Sequence, residues 1–590
     1  MLLNMEWFRW LDPSVNPEIC NRLDRMGDGS VLDLEFVKSW LQQCDHGHDH
    51  GKDWINRKNQ PGHEEPESFA FMVIDVEEKR LVQVDYPARY VTLSYVWGQS
   101  NIRPDFETKS NLLAFLTQHG SLSENPEIPT VVKDAMEFVR LVGERYLWVD
   151  RFCIIQDDGE AKSHWIRRMD EIYANAYFTI IAASGENSNS PLPGMRSGTR
   201  EQQVSEPAET LRLKRKSDYS YEYRSDFVGA TVDENYAYVQ RGWTFQEQHL
   251  SSRRVVFTDN EVICECSHSG QAELHLGLSV DYDATTPNPF ARLDAAEEGF
   301  LATADERMSD PDDEAEWLYT AHGAGQMAYQ DLVEQYTKRK LSRESDILNA
   351  FMGALSRVAS ITGWGFTYGL PGPELGIALY WVPCGTTTRR RLEQISASEN
   401  LSASAPSSPP TWSWAGWKSN VRWMECLDGT YESWKFQDEI KEFRLARRGA
   451  LQDCRELPEN GEIYPGSLED VGAYNVLCFD SAALPASLFQ YKDLGYGIDD
   501  SFYQKVDMEN NNGDHCGYLY GLNISEVLPM DLFLVPTSSM HWRGEKKYIN
   551  CLVVQWFEDV AERVAVASIF SAAWDVACKG NSDVKTIYLA

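Results

Sequence analysis

Apolar runs and helical stripes alternate along the first half of the chain. FMVIDVEEKRLVQV, at 71–84, reads as two short strands about a charged turn, the first apolar and the second alternating. RYVTLSYVWG, at 89–98, is short, β-branched and aromatic, and predicts a buried strand ending at Gly98. Pro129 and Thr130 introduce VVKDAMEFVRLVG, where Val131, Ala135, Phe138, Leu141 and Val142 recur at helical spacing and Gly143 supplies a stop. RYLWVDRFCIIQ predicts a second continuous strand. DDGEAKSHWIRRMDEIYANA puts Trp165, Ile166, Met169, Ile172, Tyr173 and Ala176 on one helical stripe, with Asp157 and Asp158 at its positive end. YFTIIAASG, at 177–185, predicts a third buried strand.

Strand, helix, strand, helix, strand with continuous apolar strands specifies an α/β fold, a parallel sheet with helices on both faces. Ligands of such sheets bind beyond the carboxyl ends of the strands. Those ends carry Ser94 to Gly98, Asp150 to Gln156, and Ser184 with Gly185.

The pattern changes twice further on. Residues 1–66 read as a helical lead-in, 67–275 as the α/β domain, and about 186–237 as a Ser-, Gly- and charge-rich insertion within it. RRVVFTDNEVICEC predicts a hairpin turning at Asp259 and Asn260. Residues 276–315 read as an acidic linker, 316–395 as a helical segment, 396–410 as a Ser/Pro linker and 411–590 as a β-rich region. The chain has no internal repeat.

Composition narrows the classes. Of 590 residues, 43% are hydrophobic and 12% aromatic, ample for two or three packed cores. The formal net charge of −35 repels phosphate backbones and anionic bilayers, which excludes nucleic acid as a main partner. The basic run LKRK at 213–216 reads as solvated loop. The N-terminal stretch contains Glu6 and Arg9 and lacks a small-residue cleavage site, and no transmembrane segment of 18 apolar residues occurs, so a cytoplasmic location is expected. Twelve cysteines then stay reduced, without a disulfide framework, and the sequons at Asn400 and Asn523 carry no meaning.

Candidate chemistry is sparse. Cys44, His46, His48 and His50 offer zinc-type donors, and Cys264, Cys266 and His268 add three more. The spacing matches no usual structural zinc site and the flanking glycines suggest a polar loop, so no metal is assigned. Hydrolase elbows, phosphate-binding loops, zinc-protease helices and dinucleotide fingerprints are absent. What remains is the polar set at the strand ends together with Glu247 in RGWTFQEQHLSSR, 241–253. A helix starting near Trp243 sets Trp243 and Glu247 one turn apart on one face, an aromatic beside a carboxylate.

YVTLSYVWG, LWVDRFCIIQDD, IYANAYFTIIAASG and RGWTFQEQHLSSR together resemble, in order and spacing, the signature blocks of the fungal heterokaryon incompatibility (HET) domain. SWLQQC ahead of the core, and YTKRKLSRESDILNAFMGAL and PTWSWAGW behind it, are similar to its usual companions. The resemblance is specific over about 85–260 and departs at Val96, where the family usually has cysteine. It implies a distant likeness to TIR domains, a flavodoxin-like sheet, and a role in non-self recognition and regulated cell death. In TIR proteins that cleave NAD, the catalytic glutamate stands four residues after a tryptophan, as Glu247 stands after Trp243.

The resemblance therefore implies Glu247 as catalytic carboxylate, with Ser94, Tyr95, Trp97, Gly98, Asp150, Arg241 and Trp243 around the substrate. NAD is the expected substrate and no cofactor is expected. Nicotinamide departs from a cationic ring nitrogen, so its leaving needs no general acid and one carboxylate suffices. The expected partners are an unidentified incompatibility protein and further copies of the chain. The opposite reading stays open: a non-enzymatic interaction module, or a paralogue with another role. There Trp97, Trp148 and Trp243 are core, Asp150 caps a turn or pairs with Arg151 or Arg241, and Glu247 pairs with Arg241 or Arg254.

Overall fold

The computed structural model describes residues 30–48, 70–85, 87–98, 107–123, 125–200, 235–266, 268–273, 279–281, 321–390, 409–423, 434–458, 461–465, 474–496, 504–521, 531–542, 545–579 and 584–590. The sequons, the LKRK run, His50, most of the insertion and most of both linkers lie outside them. The chain divides into two compact units, Met1–Arg292 and Leu293–Ala590.

The first unit opens with α1 (Leu34–Gly47). The Asp33 carboxylate accepts from the amides of Glu35 and Phe36, and Phe36, Val37, Trp40, Leu41 and Cys44 form the buried stripe. This is a correction: Cys44 to Gly47, expected in a polar loop, form the helix's last turn because that stripe continues through Cys44. The hairpin β1 (Ala70–Asp75) and β2 (Arg80–Asp85) follows as expected.

The strand in RYVTLSYVWG is shorter than expected: β3 spans Val91–Ser94. Beyond it Gly98 turns the chain at φ +73°, where a Cβ would stand 2.3 Å from that of Asn187. After the short α2 (Leu113–Leu116), α3 (Thr130–Val142) forms where its stripe predicts and ends on Gly143 at φ +92°. Phe138 points from it edge-on to Phe178 and Phe257, at 6.3 and 5.2 Å between ring centroids.

Two further expectations are corrected. RYLWVDRFCIIQ is not one strand: β4 covers Tyr146–Trp148 and α4 covers Asp150–Cys153. The Asp150 carboxylate accepts from the Arg151 amide, and the Val149 carbonyl accepts from Phe152 and Cys153, which closes a helical turn where the pattern suited extension. The next helix is two, α5 (Gly159–Arg167) and α6 (Met169–Ala174), broken at Arg168. That break turns Met169, Ile172 and Tyr173 into the core while α5 buries no residue.

Then come β5 (Phe178–Ala182), α7 (Trp243–His249), the hairpin β6 (Arg253–Phe257) and β7 (Val262–Cys266), and β8 (Ser269–Ala272) with β9 (Ser279–Asp281). The sheet thus runs to Asp281, past the expected boundary at 275. Its order is β2-β1-β4-β3-β5-β6-β7-β8-β9. β4, β3, β5 and β6 are mutually parallel, and the strands outside them pair antiparallel. From β3 the chain crosses one way to β4, then back past β3 to β5. Alternate residues of the inner strands face two cores, Phe178, Ile180 and Phe257 towards α3, and Ile181 and Val256 towards Val96 and Tyr238.

The second unit has α8 (Ala321–Thr337) and α9 (Met352–Thr362), then strands. The expected helical segment at 316–395 is helical to Thr362 and again over Leu375–Ala378, but Phe366–Thr367 and Trp381–Arg389 are strands, the latter paired with Trp417–Trp423. Among the described residues its largest sheet has 12 strands, which makes the C-terminal region β-rich. Trp414, fully buried, packs edge-on to Phe351 at 5.4 Å and donates its indole N–H to Tyr329 at 3.2 Å.

Candidate functional site

Glu247 sits on α7, one turn past Trp243, and is 6% exposed. Gly242 starts the helix, and the Thr244 hydroxyl donates to the Tyr238 and Arg241 carbonyls, fixing the entering turn. At the other end the Ser251 hydroxyl donates to the Glu247 carbonyl at 2.7 Å and meets Thr179 of β5 at 2.5 Å. Thr179 in turn meets Thr92 of β3 at 2.7 Å. A hydroxyl seam thus seats α7 over the β3–β5 junction, where the chain's crossing direction reverses.

Ser94, the last residue of β3, donates to Glu247 Oε2 at 2.5 Å and its hydroxyl lies 2.7 Å from the Tyr238 hydroxyl. Asp150 follows β4, with its carboxylate on the Arg151 amide at 2.7 Å. Burial pushes the Glu247 carboxyl up to about 7, and the nearby Asp150 charge adds to this against the Ser94 hydrogen bond, the Arg241 charge and the Tyr173 hydroxyl. Burial likewise pushes Asp150 up to about 6, opposed by the Arg151 amide, the Arg151 and Arg241 charges and the Trp97 indole. Two carboxyls in mutual range, both raised toward neutrality, can divide acid and base roles.

The structure brings Glu247, Ser94, Asp150, Trp97 and Arg241 together. Trp97 is partly buried, and Arg151 lies 4.2 Å over its ring. Tyr95 is 4% exposed within the main core, and Trp243 packs against that core partly buried. Gly98 serves the close approach of Asn187. Arg254, a suggested partner of Glu247, pairs instead with Glu265 at 2.7 Å. Trp148 is core, edge-on to Tyr173 at 5.7 Å.

Two residues were missed. Tyr173 was read as one more apolar position on a stripe, yet its phenol reaches both Glu247 and the Leu93 carbonyl, the latter at 3.3 Å. Burial holds that phenol well above its ordinary range, and the Glu247 and Asp150 charges push the same way. Tyr238 falls between the insertion, about 186–237, and the block that begins at Arg241, where no element is predicted. A signal existed for Tyr173, since a fully buried tyrosine must find a partner for its hydroxyl.

Residues 90–247 match the family model described as "Heterokaryon incompatibility protein (HET)". The chain carries a HET domain. Over 100 residues it is also 31% identical to "Heterokaryon incompatibility protein 6, OR allele" of Neurospora crassa, a match covering 16% of this chain and 14% of that relative's length. No solved structure matches. The matched residues begin at Tyr90, one residue before β3, and end at Glu247, enclosing Ser94, Asp150 and Tyr173.

Proposed function

We propose that this HET-domain protein is an effector of fungal non-self recognition that acts in the cytoplasm by hydrolysing NAD, with Glu247 as the catalytic carboxylate. The carrying observation is the Ser94–Glu247 hydrogen bond at the carboxyl end of β3, beside Asp150 and Arg241. The parallel strands, taken in chain order, run second, first, third, fourth across the sheet, which supports the flavodoxin-like, TIR-related reading and its ligand position. The incompatibility match supports the cellular role.

In this mechanism the bond from the ribose to nicotinamide breaks, and nicotinamide leaves neutral with the electron pair. Ionised Glu247 stabilises the oxocarbenium-like ribose and takes a proton from the water that adds there. Burial, and after it the Asp150 charge, raises the Glu247 carboxyl and so sets the pH at which it works. Arg241 would face the pyrophosphate and Trp97 would stack on a base. Self-association would assemble the active form.

The purified full chain, incubated with NAD at high protein concentration, should release nicotinamide. Glu247→Gln should lower the rate by about 100-fold or more. Equal turnover by both would remove Glu247 from the reaction. A second reading has its own observation: Glu247 is nearly buried and already bonded to Ser94. If both proteins stay silent, the motif blocks are structural and the domain acts by docking.

A further inference from the structure

We infer that Cys44, His48 and Cys266 form a zinc site that clamps α1 onto the outer strands of the HET-domain sheet. No step of the proposed reaction uses these residues. Cys44 lies in the last turn of α1, and the His48 amide donates to its carbonyl at 3.1 Å, which sets the two side chains one turn apart. Cys266 ends β7, more than 200 positions later in the chain, so the two halves meet only through the fold. The Cys266 sulfur is 3.4 Å from His48 Nδ1, and one donor atom from each of the three residues lies within 4.8 Å of the others.

Those distances suit one ion. Tetrahedral zinc takes sulfur at ~2.3 Å and imidazole nitrogen at ~2.0–2.1 Å, which puts neighbouring donors roughly 3.4–3.8 Å apart. Two thiolates and an imidazole are soft donors that favour zinc over magnesium or calcium. Two thiolates also neutralise the ion, so Cys44 and Cys266, both buried, would enclose no net charge. His268, whose ring stacks on His48 at 4.9 Å between centroids, stands outside the three clustered donors, so a water would take the fourth position.

At this edge of the core, polar donors are aimed at both sulfurs, as in a ligand-orienting shell. Arg253 donates its Nε–H to the Cys44 sulfur at 3.3 Å and is itself held by Asp45 at 2.8 Å. The His268 amide donates to the Cys266 sulfur at 3.4 Å. Donors aimed at sulfur orient a thiolate and disperse its charge. The ligands are a C-x3-H pair and a single cysteine far downstream, which local spacing rules cannot detect.

Metal content of the full chain, purified without chelator and dialysed, tests this. One zinc per chain is expected, lost in Cys44→Ser and Cys266→Ser and retained in Cys578→Ser, which lies in the other unit. Because either core serine could unfold the domain, the decisive arm uses wild-type protein and His48→Gln, whose position is partly exposed. Apo protein refilled with cobalt should show thiolate-to-cobalt charge transfer and tetrahedral ligand-field bands at one equivalent, both lost in His48→Gln. No bound zinc and no such cobalt spectrum in wild-type protein would overturn the site, as would an unchanged spectrum in His48→Gln. A Cys44–Cys266 disulfide found by mass spectrometry in freshly isolated protein would overturn it too.

Discussion

A carboxyl with an ordinary value of 4.5 that ionises only near 7 when folded costs the protein stability once the pH passes between those values. The folded chain then binds more protons than the unfolded one, so the sign is a loss of stability as pH rises. At pH 8 the loss approaches about 3 kcal/mol at Glu247, each unit being worth about 1.4 kcal/mol. Glu247→Gln should therefore match wild type near pH 4 and gain on it progressively to pH 8, as read by denaturant titration. Asp150→Asn should let Glu247 ionise at lower pH, because the Asp150 charge is the second cause of the raise. A pH-independent difference between wild type and Glu247→Gln would show that the carboxyl is not desolvated as described. Ser94, Asp150 and Glu247 were legible in the sequence because polar side chains at strand ends and a helix carboxylate are local features, whereas Arg241 entered only through the family resemblance. Tyr173 and Tyr238 escaped because what distinguishes them is the neighbour each phenol reaches across the fold.

At the scale of elements, two of the left-handed glycines, Gly143 and Gly98, separate backbone strain from crowding. Gly143, at φ +92°, has open space where a Cβ would go. Gly143→Ala should cost about 1 kcal/mol, the left-handed penalty alone. Gly98, at φ +73°, carries the same penalty plus a contact of 2.3 Å with Asn187 Cβ. Gly98→Ala should cost clearly more and disturb the loop after Ser94, measured as a larger drop in melting temperature. Equal costs would mean that the Asn187 loop yields freely. The hairpin of β1 with β2 and the helix α3 were legible because each pairs an unambiguous periodicity with a stop signal, Gly143 for α3. Short apolar runs carry no such distinction, so RYLWVDRFCIIQ read as strand although the amide contact of Asp150 folds its middle into α4. The break at Arg168 was hidden for the opposite reason, since a single helical stripe runs through both halves.

Across the whole molecule, each of the two compact units owns a core, and each core has an aromatic whose loss reports on it. Phe138 is fully buried between Phe178 and Phe257 in the first unit. Trp414 is fully buried beside Tyr336 and Phe351 in the second. Truncating either to alanine should cost about 3–5 kcal/mol, through lost transfer energy and an unfilled cavity. Calorimetry of the full chain should then show two transitions, with Phe138→Ala lowering one and Trp414→Ala the other. A single transition moved by both variants would mean that the units melt as one body, and stability effects in the second would then reach the Glu247 site. With two transitions, nicotinamide release by Trp414→Ala should match wild type at temperatures below its lowered transition. That comparison distinguishes a site carried wholly by the HET-domain unit from one that needs the C-terminal sheet.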